Sequence, residues 1–313
     1  MSRLLTIAIP TFNRAELLDK QLEWLSQAIL GFENDCEILI SDNCSTDNTQ
    51  DIIKKWQNKL SNIIFISNRN TSNIGVMRNI MFCLNTAQSK YVWTIGDDDP
   101  IKNNTLSYII DNLKKHPELS LLVLNYSRFN AISSQIIKER NFNITEEKIH
   151  DDARTFIEHN IKEGIFGFGF MTAQVYRTDT VKMALKKWQN SLNNLEMQVF
   201  WGAYCALQGS IKFSHDVFVE YTCGTNCLSD KKTWFKVYYA DLVRVYTKLK
   251  EIGYSPEFCQ KLIIRHFTHQ HTLRILLGAI RRYPILGLKT AIPYLFVVLS
   301  NTFQLMLTRR QFS

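Results

Sequence analysis

The sequence lacks the features that mark several classes of protein. Its 313 residues contain no internal repeat and no low-complexity tract, and 45% are hydrophobic against 21% charged, the balance of a globular protein. The net charge of +8 is not gathered into an arm dense in lysine and arginine, and no nucleic-acid-binding motif accompanies it. We therefore expect no nucleic-acid partner. Anionic lipids and phosphate-bearing substrates remain compatible with the charge.

The cysteines do not form a pattern typical of disulfides. There are seven of them, an odd number, and they are scattered along the chain, which is typical of a reducing, cytosolic setting. Because Met1-Ser-Arg leads directly into an apolar run, we also expect no signal peptide. These features predict a cytoplasmic protein.

One stretch, Tyr91–Ile101, joins an apolar run to three consecutive carboxylates. Tyr91–Ile95 predicts a buried strand, and Asp97, Asp98 and Asp99 follow it after a single glycine. Three adjacent ionised aspartates repel one another, and burying them unpaired is costly. They form either a solvated acidic turn or a site for a divalent cation, and oxygen ligands suit Mg²⁺ or Mn²⁺.

The first part of the chain alternates short apolar runs with helical patterns. Strands are predicted over Leu4–Ile9, Glu37–Ser41 and Ile63–Ile66 before the strand at Tyr91. This alternation predicts an α/β fold with a parallel sheet covered on both faces. Ligands bind such sheets beyond the carboxyl ends of the strands. The rule places Thr11–Arg14, Asp42 and the three aspartates on one rim. Between them, Asp47 and Gln50 have the spacing of a capping box.

The later part of the chain changes character. Strands are predicted over Leu119–Tyr126 and Met171–Arg177, and helices over Thr178–Trp188 and Glu196–Leu207. The segment Gly164–Phe170, rich in glycine and phenylalanine, predicts a flexible loop that closes over the site. From about Asp230 the pattern is helical, with long segments predicted over Thr233–Ile252, Pro256–Ile280 and Ile285–Leu307.

Four motifs in order resemble those of a known family. They are Ile9–Arg14 (IPTFNR), Ser41–Asp47 (SDNCSTD), Asn73-Ile74-Gly75 with Arg78-Asn79, and Gly96–Asp99 (GDDD). The set resembles the inverting nucleotide-sugar glycosyltransferases of family 2, which have the GT-A fold, and within them the bacterial polysaccharide and O-antigen type that includes abequosyltransferase-like members. The resemblance covers about the first 220 residues. It implies a glycosyltransferase domain over 1–220, with nucleotide-sugar binding in 1–125 and the acceptor side in 126–220, and a helical region over 221–313.

The resemblance also implies roles for single residues. A nucleoside-diphosphate sugar donor would be held with Mg²⁺ or Mn²⁺, and its sugar would pass to a hydroxyl of a glycan or lipid-linked acceptor. Asp42 matches the carboxylate that accepts a hydrogen bond from the base, or else it caps the turn that follows. Arg78 matches a diphosphate ligand, or else it is a solvated helix arginine. The donor-binding residues implied are Pro10, Thr11, Arg14, Asp42, Gly75, Arg78, Asp97 and Asp98, and the metal ligands implied are Asp97, Asp98 and Asp99, with Asp98 and Asp99 favoured.

An inverting transfer needs a general base for the acceptor hydroxyl. Relatives carry an aspartate in a Glu-Asp pair at the start of a late helix, and here Leu195-Glu196 stands at that place. Glu196 is therefore the predicted base, with a helix-dipole role as the alternative. Asp179, whose position suits a helix cap, is the weaker candidate.

The segment Ala291–Leu307 has no charged residue, and arginine and lysine lie on both sides of it. It predicts a helix lying on the cytoplasmic face of the inner membrane, a buried or oligomer-forming helix, or a membrane span. Two other functions compete with glycosyl transfer. A sugar nucleotidyltransferase would need a Gly-rich loop, which Pro10–Arg14 lacks, and a non-catalytic glycan- or membrane-binding relative would not need the aspartates.

Overall fold

The computed structural model describes residues 3–161, 165–189, 192–224, 230–268 and 272–311. Its strands are β1 (Leu5–Thr11), β2 (Cys36–Asp42), β3 (Ile64–Arg69), β4 (Tyr91–Thr94), β5 (Leu119–Asn130), β6 (Gln135–Lys138), β7 (Ile149–His150), β8 (Gln174–Arg177) and β9 (Ser210–Cys223). Its helices are α1 (Ala15–Ala28), α2 (Thr49–Lys59), α3 (Val76–Thr86), α4 (Thr105–Lys115), α5 (Ala153–Asn160), α6 (Thr178–Lys187), α7 (Met197–Ala206), α8 (Lys231–Lys236), α9 (Leu242–Ile252), α10 (Pro256–Thr268), α11 (Thr272–Arg282) and α12 (Pro284–Gln311).

The strands form one mixed sheet in the order β3-β2-β1-β4-β8-β5-β9-β7, with β6 paired to β5. The first four strands are parallel to one another, and β5 is parallel to β9. Residues of β1 and β2 are buried on both faces of the sheet, which is why these strands read as continuous apolar runs rather than as alternating patterns. The predicted α/β fold with a mostly parallel sheet and a C-terminal helical extension is confirmed.

The strand β8 is inserted between β4 and β5 and runs antiparallel to both. Because of this direction, β8 begins at the edge of the sheet where β4 ends. The sequence predicts a strand over Met171–Arg177, but Met171–Ala173 is a 3-10 turn and only Gln174–Arg177 is strand. The turn places Thr172 beside the end of β4, where its main-chain carbonyl accepts a hydrogen bond from the Trp93 indole N–H across 2.8 Å.

The predicted capping box at the start of α2 is wrong. Asp47 accepts a hydrogen bond from the N–H of Thr49 across 3.1 Å, but the Gln50 side chain does not return to Asp47. It donates to the buried carboxylate of Asp42 instead. A buried carboxylate without hydrogen-bond donors is costly in free energy, whereas an exposed main-chain N–H can donate to water. The Gln50 amide therefore pairs with Asp42.

The segment rich in glycine and phenylalanine is packed rather than loose. Over its described part, Ile165–Gly169 is a 3-10 turn, and Phe168 and Phe170 are buried; Gly164 lies outside the described residues. A Cβ on Gly167 would lie 2.7 Å from the Phe142 ring. The glycines therefore serve close packing here, and closure of this segment over the site stays a prediction.

The C-terminal helices are packed onto the sheet domain. Helix α8, a π-helical turn (Val237–Asp241) and α9 follow one another without a break, as the predicted helix over Thr233–Ile252 requires. Of the predicted helix Pro256–Ile280, the described residues are helical as α10 and α11, and residues 269–271 between them lie outside the described residues. β9 continues past the predicted domain boundary at 220 to Cys223, and the Tyr254 hydroxyl donates to the Ala203 carbonyl across 3.0 Å. One hydrophobic core therefore spans both predicted regions.

Candidate active site

The carboxyl ends of β1 and β4 bring the first motif onto the aspartates. The Thr11 hydroxyl donates to the Asp97 carboxylate across 2.7 Å. The Arg14 guanidinium donates to Asp97 across 2.9 Å and to Asp98 across 2.8 Å. Asp97 is buried and its pKa is raised by that burial, which the Arg14 charge partly offsets. Asp98 is exposed at the mouth of the site, so the pair presents one buried and one accessible carboxylate.

Asp99 has hydrogen-bond partners different from those of Asp97 and Asp98. Its Oδ2 accepts hydrogen bonds from the Thr172 hydroxyl and from the Gly96 N–H. A Cβ at position 96 would lie 2.4 Å from that oxygen, so only glycine leaves room for the carboxylate. Burial raises the pKa of Asp99 to about 7, against the opposing effect of the Thr172 hydrogen bond.

These orientations bear on the predicted metal site. In the described part of the chain, no three histidine, cysteine, aspartate or glutamate side chains are grouped as a metal site. Mg²⁺ in nucleotide sites is often held by only one or two carboxylates together with substrate phosphates. Asp97 and Asp98 fit that pattern, because they already share one cationic group, Arg14. The preference for Asp98 with Asp99 stays a prediction; in this arrangement Asp99 accepts hydrogen bonds from Thr172 and Gly96 instead of from Arg14.

Asp42, at the end of β2, is fully buried and its carboxylate is engaged within the chain. Oδ1 accepts from the Ser45 N–H across 2.9 Å, and Oδ2 accepts from the Gln50 amide. The Arg69 guanidinium lies 3.6 Å away. This is the turn-capping arrangement that the sequence offers as the alternative to base recognition; the base-binding role stays a prediction.

Asn13 ties the first motif to the second. It has a positive φ of 52°, a conformation that asparagine tolerates better than most residues. Its side-chain oxygen accepts from the Thr46 N–H across 2.7 Å, and its own N–H donates to the Ser45 hydroxyl across 2.8 Å. The Asp47 carboxylate also accepts a hydrogen bond from the Ala15 N–H at the start of α1. The two loops are thereby fixed against each other.

A second network joins the second motif to the third. The Asn43 side-chain oxygen accepts from the Ile74 N–H, and its amide donates to Asn73, both across 2.9 Å. Asn79 donates to the Ser41 carbonyl, also across 2.9 Å. Gly75 has a φ of 87° and nothing lies within 4 Å of the place where its Cβ would be. The backbone conformation, not lack of space, therefore requires glycine here.

Arg78 and Pro10 are placed differently. Arg78 lies in the first turn of α3 with an exposed side chain, and no ion pair to it occurs among the described residues. Pro10 lies within β1 opposite Ser41 of β2. Both positions border the carboxyl edge of the sheet, and their predicted contacts with a donor stay predictions.

Glu196 is the N-cap residue of α7, and only 5% of its surface is exposed. Its carboxylate approaches the glycine-rich turn so closely that a Cβ on Gly169 would lie 2.6 Å from Oε2. Burial, together with the charge of Asp241, raises the pKa of Glu196 to about 8. A carboxyl group whose pKa is raised into the neutral range has the property expected of a general base or acid.

The loop before Glu196 is held from the C-terminal helices. Asp241, at the end of the π-helical turn, accepts from the Leu195 N–H across 3.2 Å through its carboxylate, and its carbonyl accepts from the Asn194 amide across 2.9 Å. Lys236 donates to the Asn193 carbonyl across 2.8 Å and to Asp241 across 2.7 Å. The helical region therefore holds the loop that carries the predicted base.

Asp179 lies at the other edge of the sheet. It follows Arg177, which ends the antiparallel strand β8 and pairs with Tyr91 at the beginning of β4. Its carboxylate accepts from the Thr180 N–H across 2.7 Å. This position excludes Asp179 from the site formed where β1, β2 and β4 end.

Comparison with known proteins identifies the family. The profile described as "Glycosyl transferase family 2" matches residues 6–178, more than half of the chain. The chain belongs to glycosyl transferase family 2. The matched range includes all four motifs, and the predicted family and enzyme class, a glycosyltransferase, are confirmed.

Two curated relatives differ in how much of this family 2 chain they cover. Abequosyltransferase RfbV of Salmonella typhimurium is 35% identical over 118 residues, 38% of this chain and 35% of its own length. The chain is thus aligned with about a third of that relative. The GalNAc(5)-diNAcBac-PP-undecaprenol beta-1,3-glucosyltransferase of Campylobacter jejuni is 23% identical over 284 residues, 78% of this chain and 85% of its own length.

Solved structures share the fold of this family 2 chain. Staphylococcus aureus TarS 1-349 in complex with UDP-GlcNAc has a TM-score of 0.68 at 16% identity, covering 94% of this chain and 81% of that one. The mannosyltransferase PcManGT of Pyrobaculum calidifontis, in complex with GDP-Man and Mn2+, has a TM-score of 0.57 at 14% identity, covering 97% and 85%. Since each match covers more than nine-tenths of the chain, it extends into the C-terminal helices.

Three residues near the candidate site were not predicted from the sequence of this family 2 chain. Thr172 precedes a strand whose antiparallel direction the sequence does not reveal. Asp241 and Lys236 belong to a helical region that the motifs do not reach. Each becomes recognisable only when the sheet order and the packing of the π-helical turn are known.

Proposed function

We propose that this family 2 protein transfers a sugar from a nucleoside-diphosphate sugar to a hydroxyl group of a glycan or lipid-linked acceptor in surface-polysaccharide synthesis, with inversion at the anomeric carbon. The observation that carries the proposal is the pair of carboxylates, Asp97 and Asp98, bridged by Arg14 at the carboxyl edge of the sheet. The loops after β1, β2 and β3 are linked to this edge by side-chain hydrogen bonds. A donor with a base, a ribose and a diphosphate would extend across those loops.

Asp97 and Asp98 would hold Mg²⁺ or Mn²⁺. When bound, the cation supplies charge stabilisation for the leaving diphosphate. Arg14 is 41% exposed, so its guanidinium is free to exchange a carboxylate for a phosphate oxygen, for which its planar fork is suited. Arg78 supplies a second guanidinium from the first turn of α3. Pro10, Thr11, Asp42 and Gly75 would shape the surface for the base and ribose.

Glu196 would act as the general base. Its carboxylate would take the proton of the acceptor hydroxyl while the hydroxyl oxygen forms the new bond to the anomeric carbon and the diphosphate leaves from the opposite face. The raised pKa suits proton transfer near neutral pH. The packed turn Ile165–Gly169 would limit entry of water on that side.

One relative supports the proposed acceptor class. The Campylobacter jejuni relative is named for an acceptor joined to undecaprenol through a diphosphate, and a lipid-linked acceptor lies at a membrane. We therefore infer that this chain works in the cytoplasm as a peripheral protein at the inner face of the inner membrane. Self-association through the C-terminal helices is the alternative use of the same surface.

The experiment that tests the proposal is donor hydrolysis, measured with UDP-, GDP-, CDP- and dTDP-sugars in the presence of Mn²⁺, Mg²⁺ or EDTA. Metal-dependent release of the nucleoside diphosphate from one of these donors is expected. A chain that only binds glycans would release none, and a sugar nucleotidyltransferase would instead form a sugar nucleotide from a nucleoside triphosphate.

A further inference from the structure

One long face of α12 is apolar and exposed. Its members recur every three or four residues along the helix, so they form a single stripe. They are Ile285, Leu288, Ile292, Phe296, Leu299, Phe303 and Met306, each at least 46% exposed. Monomeric soluble proteins rarely expose an apolar surface of this extent without a partner.

The opposite face of α12 is packed against the protein. Ala291, Tyr294 and Val298 are buried. The Tyr294 ring lies 5.1 Å from Tyr239 of the π-helical turn and 6.2 Å from Phe267 of α10. By length and composition Pro284–Gln304 could cross a membrane, and 28% of its apolar 18-residue stretch is buried in the protein. Crossing would strip α12 of this packing, whereas lying flat on a membrane would keep it.

The charge of this region is of one sign. Residues 272–313 contain six lysine or arginine residues and no aspartate or glutamate. Arg274, Arg281, Arg282 and Lys289 are exposed on α11 and α12. An apolar stripe next to basic side chains matches the surface of an anionic bilayer, in which acyl chains lie beneath negatively charged headgroups.

Beside the stripe, between α9 and α12, lies a cavity of about 350 Å³. Tyr239, Val243, Tyr294 and Val297 provide apolar lining, and Arg244, Lys248 and Lys289 add three cations. None of the lining residues in the described part of the chain is acidic. Lys248 is paired with Glu251 across 2.6 Å, which leaves Arg244 and Lys289 as the exposed cations of the cavity.

On a helical wheel Lys289 falls between the stripe and the cavity side of α12, so the two features adjoin. We propose that the stripe inserts into an anionic phospholipid bilayer and that the cavity between α9 and α12 receives the phosphate of one phospholipid headgroup. This inference rests on the proposed membrane location and names its lipid class and residues. It holds whichever donor the enzyme uses.

The test is co-sedimentation of the full chain with phosphatidylcholine vesicles, with and without phosphatidylglycerol. Binding is expected only when phosphatidylglycerol is present. The double variant Arg244→Gln/Lys289→Gln should weaken that binding at least about tenfold, because each cation near an anionic surface contributes on the order of a fivefold gain. The matched control Lys20→Gln/Lys54→Gln removes two exposed cations from α1 and α2 and should leave binding unchanged.

The stripe is tested by Ile292→Asp/Leu299→Asp, with Leu30→Asp, an apolar residue 62% exposed near the end of α1, as control. Loss of vesicle binding in the stripe variant alone supports the proposal. Equal loss in a control pair, binding that does not need phosphatidylglycerol, or no binding by the wild type would overturn it. If the wild type does not bind vesicles, sedimentation velocity tests for a dimer. A wild-type dimer that dissociates in the stripe variant would assign this face of α12 to a second copy of the chain.

Donor hydrolysis measured on the same samples separates this inference from the proposed function. The stripe and cavity variants should hydrolyse donor in solution at the wild-type rate, since none of these residues contacts the aspartates or Glu196. Vesicle binding without metal-dependent hydrolysis would contradict the proposed function but support the membrane-binding surface. Metal-dependent hydrolysis without vesicle binding would support the proposed function but contradict the membrane-binding surface.

Discussion

The Asp241 carboxylate accepts a hydrogen bond from the Leu195 N–H across 3.2 Å, one residue before Glu196. Asp241 is 1% exposed and ends a π-helical turn, a local distortion that often occurs at functional sites. Its charge, after burial itself, is the other cause that raises the pKa of Glu196. A residue far from the sequence motifs therefore both positions and tunes the predicted base.

Replacement of Asp241 by asparagine tests this relationship. Asn keeps the shape of the side chain but removes the charge, so the pKa of Glu196 should fall and the acidic limb of the kcat/KM profile should move to lower pH. The profile is measured with the donor found by the hydrolysis screen. Asp230→Asn, at the exposed N-cap of α8, is the control and should not move the limb. A purely structural role for Asp241 would lower activity equally at every pH.

The second prediction concerns Glu196 itself. Glu196→Gln removes the base but keeps a hydrogen-bonding side chain of the same size, so kcat for transfer should fall by about 10²–10⁴-fold while donor KM changes little. Asp179→Asn is the control at the opposite edge of the sheet and should keep wild-type turnover. Wild-type kcat in the Glu196 variant would assign the proton transfer to another group.

The third prediction concerns the effect of Glu196 on the pH dependence of the free energy of unfolding. The folded chain keeps the Glu196 proton up to a pKa of about 8, whereas the unfolded chain releases it near 4.5. The folded state thus binds more protons over this window, and the free energy of unfolding should fall as pH rises through it. Urea unfolding at about pH 5 and about pH 9 should show a smaller decrease for Glu196→Gln than for the wild type. An equal decrease would mean that Glu196 is ionised in the folded protein.

Much of this site was predictable because its residues follow parallel strands. An apolar run that ends in a polar residue places that residue at the carboxyl edge, and β1, β2 and β4 put Thr11, Asp42 and Asp97 there for that reason. Side-chain direction did not follow from the same pattern. Asp97, Asp98 and Asp99 are consecutive, yet Gly96 lets Asp99 fold back to Thr172, a partner 73 residues away.

The second half of the chain was less predictable for a different reason. The antiparallel insertion of β8 depends on pairing with both β4 and β5, a long-range choice that local propensity does not encode. Glycines at 167 and 169 suggested flexibility, but they allow close approach of Phe142 and Glu196. Composition alone does not distinguish these two uses of glycine.

Gly169 offers a fourth prediction, which separates the position of Glu196 from its chemistry. In Gly169→Ala the new Cβ would lie 2.6 Å from Oε2 of Glu196, so the carboxylate must shift. A displacement of this size should lower kcat about 10–100-fold while nucleotide binding is unchanged. Gly278→Ala on α11 has nothing within 4 Å of its Cβ and should keep full activity. Retained kcat in Gly169→Ala, with the fold intact by circular dichroism, would show that the Glu196 side chain is not held at the reacting position.

The fifth prediction separates the roles of the three aspartates. Asp98 is exposed and shares Arg14 with Asp97, so Asp98→Ala should abolish the rise in Tm that UDP with Mn²⁺ gives the wild type. Its unfolding free energy without ligand should change by less than about 0.5 kcal/mol, as for surface substitutions. Asp99→Asn should instead keep the metal-dependent rise, because Asp99 faces Thr172 and Gly96. Asp111→Ala, an exposed residue of α4, controls for loss of negative charge. If Asp99→Asn and not Asp98→Ala removes the metal response, the carboxylates rearrange around the cation and the assignment to Asp97 with Asp98 is wrong.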